Sequence, residues 1–268
     1  MKVLVLGGKG FIGANLVEYC RGEGMETLSV DRDDYSRNVA ASCDVLINAA
    51  GNSAKYLAAE NPRLDFSLSV TPLLESFFDF HFRHYVFISS VDVYPDHRDL
   101  AASREDAVID PARISHYGFH KLLGEAMVRH YTPCWLIVRL GGILGPGLKK
   151  NPVYDLLHGQ PLRVSEESRY QYVSTEFLAR TILAIIASDR LREIFNVCGQ
   201  GTVALKEIRS WLNKPLAYAQ EDVPREVYEI NNQKLSGIIS VPESRKAARQ
   251  FVLTGLNQPQ RRGEGKNS

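Results

Sequence analysis

The sequence predicts an α/β fold, with a doubly wound parallel β-sheet followed by a small C-terminal α/β region. Three observations lead to this prediction. Short runs of Val, Leu and Ile alternate with helical patterns along the first half of the chain, a glycine-rich turn follows the first run, and the texture changes from about Gly145. Continuous apolar runs are typical of parallel strands that are buried on both faces of a sheet.

Each strand is expected from a short run of β-branched and other apolar residues. These runs cover residues 2–6, 27–30, 45–49, 85–89 and 135–140. Amphipathic patterns between and after them predict helices over residues 14–21, 73–82, 117–130, 177–187 and 203–212. Only 12 residues separate Asp31 from Asp44, which is too short for a further helix-and-strand unit. One strand that is common in such sheets is therefore expected to be absent.

The composition is that of an ordinary folded protein with almost no net charge. Of the 268 residues, 32 are Lys or Arg, 31 are Asp or Glu, and 44% are hydrophobic. A net charge of +1 does not favour general binding to nucleic acid or to a membrane surface. No apolar run reaches the roughly 18 residues of a membrane-spanning helix, and the first residues lack the pattern of a signal peptide. The 4 scattered cysteines predict reduced thiols in a cytoplasmic protein, with no metal site.

A glycine-rich turn lies between the first predicted strand and the first predicted helix. It has the spacing Gly-x-x-Gly-x-x-Gly, with Gly7, Gly10 and Gly13. In such a turn one glycine allows the sharp bend, one lets the backbone approach a pyrophosphate, and one lets the helix pack on the sheet. The free N–H groups at the start of the helix favour a negatively charged ligand. This context predicts a Rossmann-type dinucleotide-binding domain over residues 1–146.

An acidic residue, Asp31, ends the second predicted strand. Its carboxylate is expected to accept hydrogen bonds from the adenosine ribose, which favours NAD because the same carboxylate repels the 2′-phosphate of NADP. Arg32 keeps NADP possible, since a guanidinium can bind that phosphate or stack on adenine. The expected cofactor is therefore NAD, with NADP as the alternative.

A tyrosine and a lysine, Tyr117 and Lys121, lie four residues apart and share one face of a predicted helix. A nearby ammonium favours the phenolate, so Lys121 is expected to lower the pKa of Tyr117 and to let the phenol exchange a proton with a substrate hydroxyl. Ser90 follows the fourth predicted strand, at the sheet edge where ligands bind in such folds. It is expected to hydrogen-bond the substrate oxygen.

Together these motifs resemble the extended short-chain dehydrogenase/reductase family, also called the NAD-dependent epimerase/dehydratase family. The similarity extends to about Phe251. The segments that carry it are residues 1–13, 44–51, 90–94, 115–121, Arg139 with 144–147, 173–179, 195–197 and 231–235.

The resemblance implies a catalytic set of Ser90, Tyr117 and Lys121 beside a nicotinamide cofactor. The cofactor site that it implies is formed by Gly7, Gly10, Phe11, Ile12, Gly13, Asp31, Arg32, Ala49, Ala50, Gly51, Tyr117 and Lys121. The implied substrate is a nucleotide-diphosphate sugar, and its expected contacts are Ser90, Asp92, Arg169 and Lys149.

The resemblance also implies how the rest of the chain is organised. A small substrate-binding region is expected over residues 147–256, interleaved with the first domain. Residues 257–268 contain no apolar side chain and are predicted to form a disordered tail. A homodimer through the predicted helices 73–82 and 117–130 is in keeping with the same resemblance.

Departures from the family pattern narrow the expected reaction. Val91 stands where related dehydratases have the first of two acidic residues, which disfavours a 4,6-dehydratase. His116 and His120, beside Tyr117, are expected to be exposed. The preferred prediction is an epimerase that transiently oxidises a sugar hydroxyl, and a nucleotide-sugar 4-keto reductase is the alternative. A non-catalytic dinucleotide-sensing protein is the alternative of another class, because a fold does not guarantee an activity.

Overall fold

A computed structural model describes residues 1–212 and 214–257 of the chain. The strands in these residues are β1 (Lys2–Leu6), β2 (Glu26–Val30), β3 (Ser42–Asn48), β4 (His81–Ser90), β5 (Trp135–Leu140), β6 (Gly142–Leu144), β7 (Arg169–Tyr170), β8 (Tyr172–Ser174), β9 (Glu193–Val197) and β10 (Val203–Ala204). The helices are α1 (Phe11–Gly22), α2 (Tyr35–Asn38), α3 (Lys55–Glu60), α4 (Pro62–Ser69), α5 (Thr71–Asp79), α6 (His116–Tyr131), α7 (Pro152–His158), α8 (Thr175–Ala187), α9 (Leu205–Leu212), α10 (Gln233–Ser236) and α11 (Ser244–Asn257).

Six parallel strands form the central sheet, in the order β2-β1-β3-β4-β5-β9. This arrangement confirms the predicted doubly wound α/β fold. The connection between β2 and β3 contains only the four-residue helix α2, and in the part of the chain that the structure describes the sheet ends at β2. The strand that was expected to be missing is therefore not found among these residues. Because β2 and β3 flank β1 on opposite sides, a crevice lies at the carboxyl ends of β1 and β3, where ligands bind in such sheets.

Alternate residues of β1 are buried on the two faces of the sheet. Val3 and Val5 pack in a cluster with α1 and α8, whereas Leu4 and Leu6 pack in a cluster with α5 and α6. This alternation is the two-residue period of a strand. A third cluster, built around Leu144, Leu156, Tyr172, Leu205 and Val252, joins the C-terminal helices to the two small sheets β6-β8 and β7-β10.

Among the predicted boundaries that differ from the structure, those at α5, β10 and α11 differ most clearly. The predicted helix 73–82 ends at Asp79 as α5, because Phe80 is extended and His81 pairs with Ser42 of β3. Residues 203–204 form β10 instead of the start of a helix, because they pair with β7. Asn257, predicted to open the tail, ends α11, and the rest of that predicted tail lies outside the described residues.

None of the helices within residues 1–212 and 214–257 has the length and apolar character to cross a membrane.

Candidate functional site

The glycine-rich turn connects β1 to α1 and bends at Gly7, whose φ is +75°. A Cβ on Gly7 would lie 2.8 Å from the Cα of Ala50, and a Cβ on Gly13 would lie 2.1 Å from the carbonyl oxygen of Gly7. Both positions therefore require glycine. Among the described residues, no side chain caps the start of α1. The first N–H groups of the helix, at Phe11 and Ile12, have no intrahelical partner and suit an anion such as a pyrophosphate.

The end of β2 carries a cluster of charges that we call the ribose corner: Lys9, Asp31, Arg32, Asp33 and Asp34. The Lys9 backbone N–H donates to Asp31 Oδ2 at 2.9 Å, and Lys9 Nζ lies 2.5 Å from Asp33 Oδ2 and 3.8 Å from Asp34 Oδ2. The Asp33 hydrogen bond raises the pKa of Lys9. Arg32 is exposed. Three carboxylates at this corner oppose a further negative charge.

The segment after β3 brings a third part of the candidate cofactor site to the turn. The backbone N–H of Ala49 donates to the carbonyl of Leu6 at 3.0 Å, and that of Ala50 donates to Asn48 Oδ1 at 3.0 Å. Gly51 follows with a φ of +107°, in the region that favours glycine. These contacts hold the segment against β1, beside the bend at Gly7.

The start of α6 lies on the turn Val91–Val93 that follows β4. Ser115 caps the helix by accepting a hydrogen bond from the Gly118 N–H at 3.1 Å. A Cβ on Gly118 would lie 2.1 Å from the carbonyl oxygen of Asp92, so only glycine allows this approach. The contact brings Tyr117 and Ser90 into one place at the carboxyl edge of the sheet.

The pKa of Tyr117 is raised, whereas the sequence predicted that it is lowered. Burial raises its pKa above the ordinary value, and Asp92 and Asp65 act in the same direction, while Lys55 and the Ser90 hydroxyl oppose them. The expected lowering of this pKa by Lys121 is therefore wrong for the described structure. Its cause is burial, which disfavours the charged phenolate.

Lys121 is itself buried, at 9% exposure. Its ammonium donates to the carbonyl of Ile88 at 2.9 Å and lies 5.2 Å from the ring centre of Phe87. Burial lowers the pKa of Lys121 to about 8, although Asp65 and Glu125 raise it. The Lys121 ammonium is thus held against β4 by the carbonyl of Ile88 and the ring of Phe87.

Asp92 is buried at the centre of a polar network that the sequence did not indicate. Its Oδ2 accepts a hydrogen bond from Ser90 Oγ at 2.9 Å, and its Oδ1 lies 2.7 Å from Lys55 Nζ. Tyr228 OH donates to the same Oδ1 at 3.0 Å. Burial favours a raised pKa for Asp92, but Lys55 and the hydrogen bonds outweigh it and hold the pKa below its usual range. Asp92 is therefore an anchored carboxylate.

The two histidines beside Tyr117 have different environments. His116 is exposed, as expected. His120 is buried, which corrects the prediction, and its Nδ1 lies 2.6 Å from Oδ2 of the fully buried Asp65. Asn52 donates to the other carboxylate oxygen of Asp65 at 2.8 Å. This buried pair fastens α6 to α4.

The side chains of the other two expected substrate contacts, Arg169 and Lys149, lie outside this network. Arg169, on β7, donates from Nε to Thr202 Oγ1 at 3.0 Å, and its carbonyl accepts a hydrogen bond from the Tyr228 N–H at 2.8 Å. Lys149 is exposed in the loop after the turn at residues 145–147. Asn15 of α1 donates to the carbonyl of Pro146 at 2.9 Å, which holds that turn beside α1.

Solved structures with similar folds include several nucleotide-sugar enzymes. A UDP-galactose 4-epimerase matches with a TM-score of 0.78 and 24% identity, over 96% of this chain and all (100%) of that one. The UDP-glucose 4-epimerase of Thermus thermophilus, crystallised with NAD, matches with a TM-score of 0.74 and 19% identity, over 97% and 100% of the two chains. The dTDP-4-dehydrorhamnose reductase of Bacillus anthracis str. Ames, crystallised with NADP, matches with a TM-score of 0.77 and 16% identity, over 94% and 98%.

These identities establish a shared fold, whereas the family is established by the sequence itself. A search of curated proteins finds no significant match. A model of one protein family matches residues 3–198, which include the glycine-rich turn, Ser90, Tyr117 and Lys121. The chain belongs to the NAD dependent epimerase/dehydratase family.

Proposed function

We propose that this protein is an NAD-dependent epimerase that acts on a nucleotide-diphosphate sugar by transiently oxidising a sugar hydroxyl. The observation that carries the proposal is that the Tyr117 and Ser90 side chains are hydrogen-bonded at the carboxyl edge of the sheet, the edge at which α1 also begins without a side-chain cap. Such an edge is where ligands bind in doubly wound sheets.

The residues around the crevice suit the cofactor. The glycine-rich turn would hold the pyrophosphate, Asp31 the adenosine ribose, and residues 49–51 would line the crevice beside them. Lys121 would hydrogen-bond the nicotinamide ribose. When bound, NAD supplies a ring that accepts a hydride from the sugar carbon and returns it, so that no cofactor is consumed.

Tyr117 is the proposed acid–base group, and Ser90 holds the reacting sugar oxygen. The Tyr117 phenolate would accept the hydroxyl proton when the sugar is oxidised, and the phenol formed in this way would return that proton when the sugar is reduced. Because burial raises the pKa of Tyr117, little phenolate is present near neutral pH, and forming this base needs cations near the phenol oxygen. Arg169 and Lys149 would contact the sugar nucleotide, and the proposed location is the cytoplasm.

The ribose corner supports an epimerase over a 4-keto reductase. An epimerase retains its cofactor, whereas a reductase consumes one reduced cofactor in each turnover. Asp31, Asp33 and Asp34 oppose the 2′-phosphate of NADP, the cofactor in the crystallised reductase described above. The 4-keto reductase is the second candidate because the crystallised reductase is nearly the same length as this protein: the match covers 98% of the reductase chain.

The test begins with the purified protein and its bound cofactor, identified by mass spectrometry. The protein is then incubated with UDP-glucose, UDP-galactose and UDP-glucuronic acid, and the products are separated by chromatography. We expect a new epimer with no net change in absorbance at about 340 nm, the NADH band, because hydride is returned to the sugar. Steady NADH or NADPH consumption with a 4-keto sugar would establish the reductase, and NAD binding without any turnover would favour a sensor.

A further inference from the structure

Polar side chains from three distant parts of the chain meet beside Tyr117. Lys55 comes from the start of α3, Asp92 from the turn after β4, and Tyr228 from the segment before α10. Lys55 Nζ donates to Asp92 Oδ1 at 2.7 Å and to Tyr228 OH at 3.1 Å. The ring of His97 stacks on that of Tyr228, with 4.2 Å between the centroids, and His97 Nε2 lies 3.9 Å from Asp92 Oδ1. We call Lys55, Asp92, Tyr228 and His97 the Lys55 cluster.

The Lys55 cluster reaches the candidate catalytic residues through Asp92. The carboxylate accepts the Ser90 hydroxyl hydrogen at 2.9 Å, so it fixes the orientation of that hydroxyl. The carbonyl of Asp92 packs directly on Gly118, the neighbour of Tyr117 in α6. Asp92 is only 8% exposed, so water screens its negative charge little on the side of Ser90 and Gly118. The Lys55 side chain is 55% exposed, so water weakens the Lys55–Asp92 ion pair on the outer side.

A buried carboxylate in this position opposes catalysis unless a cation compensates its charge. The phenolate that Tyr117 must form carries a negative charge, and the charge of Asp92 repels it. The Lys121 ammonium donates a hydrogen bond to the carbonyl of Ile88 in β4. The ammonium that is hydrogen-bonded to Asp92 is that of Lys55.

We propose that Lys55 is a positioning residue, whose ammonium neutralises Asp92 so that Asp92 can hold Ser90 without opposing the phenolate of Tyr117. This inference rests on the proposed function, because Lys55 acts through Tyr117. The charged groups that act on Tyr117 from neighbouring elements are Asp92 and Asp65, which raise its pKa, and Lys55, which lowers it. On its own helix, the ionisable side chains within four residues of Tyr117 are those of His116, His120 and Lys121.

The experiment compares five variants by the pH dependence of kcat on the nucleotide sugar that the wild type converts. In Lys55→Met the charge of Asp92 is uncompensated, so the pKa of Tyr117 rises. The acid limb of the profile, where kcat falls because Tyr117 becomes protonated, therefore moves to higher pH. We expect a shift of at least about one pH unit and a loss of about tenfold in kcat below that limb. Lys55→Arg keeps the cation and the wild-type profile. Asp92→Asn added to Lys55→Met removes the repulsion and moves the limb back.

Lys246→Met is the matched control, because Lys246 also pairs with a carboxylate, that of Glu243, at 2.7 Å on the surface. It should keep the wild-type profile. Melting curves and NADH binding of every variant establish folding. If Lys55→Met does not fold, Asp92→Asn alone gives the opposite test, in which the acid limb moves to lower pH.

A second readout needs no substrate. The C–H resonances of His97, assigned with His97→Gln, are titrated by NMR in each variant. Burial lowers the pKa of His97, Lys55 lowers it further and Asp92 raises it. We therefore expect the pKa of His97 to rise in Lys55→Met and to fall in Asp92→Asn.

The outcomes separate this inference from the proposed function. The role of Lys55 alone is overturned if the wild type is active and the acid limb of Lys55→Met stays at the wild-type pH. It is also overturned if Asp92→Asn does not move the limb of Lys55→Met back. An unmoved His97 in Lys55→Met also overturns it, because the ion pair is then not formed in solution. A wild type that binds no dinucleotide or converts no sugar overturns the proposed function, and the role of Lys55 with it.

Discussion

At the scale of single residues, burial sets the protonation of the candidate catalytic side chains. Tyr117 is partly buried in a position that raises its pKa, and Lys121 is buried in one that lowers its pKa to about 8. Each shift favours the neutral form of the group. A phenol that favours its neutral form can act as a base only when nearby cations stabilise the phenolate, so its catalytic value depends on its neighbours.

The first prediction concerns the phenol itself. Tyr117→Phe removes the acid–base group but keeps the ring, so we expect kcat to fall at least about 100-fold while NADH affinity is unchanged. Steady-state kinetics with the converted sugar and fluorescence titration with NADH measure the two quantities. Tyr131→Phe, at the end of the same helix, is the matched control and should retain activity. A Tyr117→Phe variant with wild-type kcat would show that the phenol is not the acid–base group.

The second prediction concerns the ribose corner. Lys9 and Arg32 are the two cations of the ribose corner, and Lys9 is paired with Asp33 and Asp34. Asp33→Asn with Asp34→Asn removes two negative charges and frees Lys9 for a phosphate. We expect NADPH to bind at least about 10-fold more tightly, with NADH affinity changed less than about 3-fold.

Two further variants test that explanation in the same NADPH and NADH fluorescence titrations. Lys9→Met added to the double variant should remove most of the gain for NADPH. Glu167→Gln with Glu243→Gln removes two carboxylates from other Lys–carboxylate pairs and should leave both affinities unchanged. Equal gains in the control and in the ribose-corner variant would mean that net charge, and not Lys9, sets the cofactor preference.

At the scale of elements, the site depends on how closely α6 approaches the turn after β4. Gly118→Ala would place a Cβ 2.1 Å from the carbonyl oxygen of Asp92, so the start of α6 must move away. We expect a loss of at least about tenfold in kcat, because Tyr117 is displaced by a fraction of an ångström or more. Circular dichroism should show that the helices are retained.

Gly22→Ala is the matched control for this prediction. Gly22 ends α1, and nothing lies within 4 Å of a Cβ added there. The substitution should leave kcat unchanged and stabilise the fold by up to about 1 kcal/mol, the difference in helix propensity between Gly and Ala. A Gly118→Ala variant as active as Gly22→Ala would contradict the close approach of α6.

The sequence was most informative where function depends on local pattern. The apolar run of β1 and the glycine-rich turn after it could be interpreted directly, because the strand, the bend and the helix start are neighbours in the chain. The end of α5 could not, because His81 leaves the helical pattern only by pairing with Ser42 of β3. The contacts of Asp92 with Lys55 and Tyr228 join residues 37 and 136 positions apart, and a single sequence contains no signal for them.

At the scale of the whole molecule, the central sheet and the C-terminal region share the site. β9 completes the central sheet although it lies beyond residue 146, and Tyr228 reaches Lys55 and Asp92 from the C-terminal part of the chain. A cut at residue 146 would therefore remove a strand from the sheet and a ring from the Lys55 cluster. The domain boundary itself stays a prediction.

The last prediction concerns a homodimer through α5 and α6. Phe78 is 68% exposed, Tyr131 is 44% exposed, and their ring centroids are 5.5 Å apart. Leu74 of α5 and Phe119 of α6 are also exposed, at 38% and 41%. Large apolar side chains gathered on neighbouring helices are typical of an interface, so we expect a dimer in light scattering after size-exclusion chromatography.

Phe78→Glu places a charge in that face and should yield a monomer of about half the mass, because an unpaired charge is costly to bury in an interface. Val108→Glu is the control: Val108 is 98% exposed in a loop, and its substitution should leave the mass unchanged. A wild type that is monomeric at every concentration measured, or a dimer that Phe78→Glu does not weaken, would show that this face is not the interface. A dimer also lost in Val108→Glu would point to the loop instead.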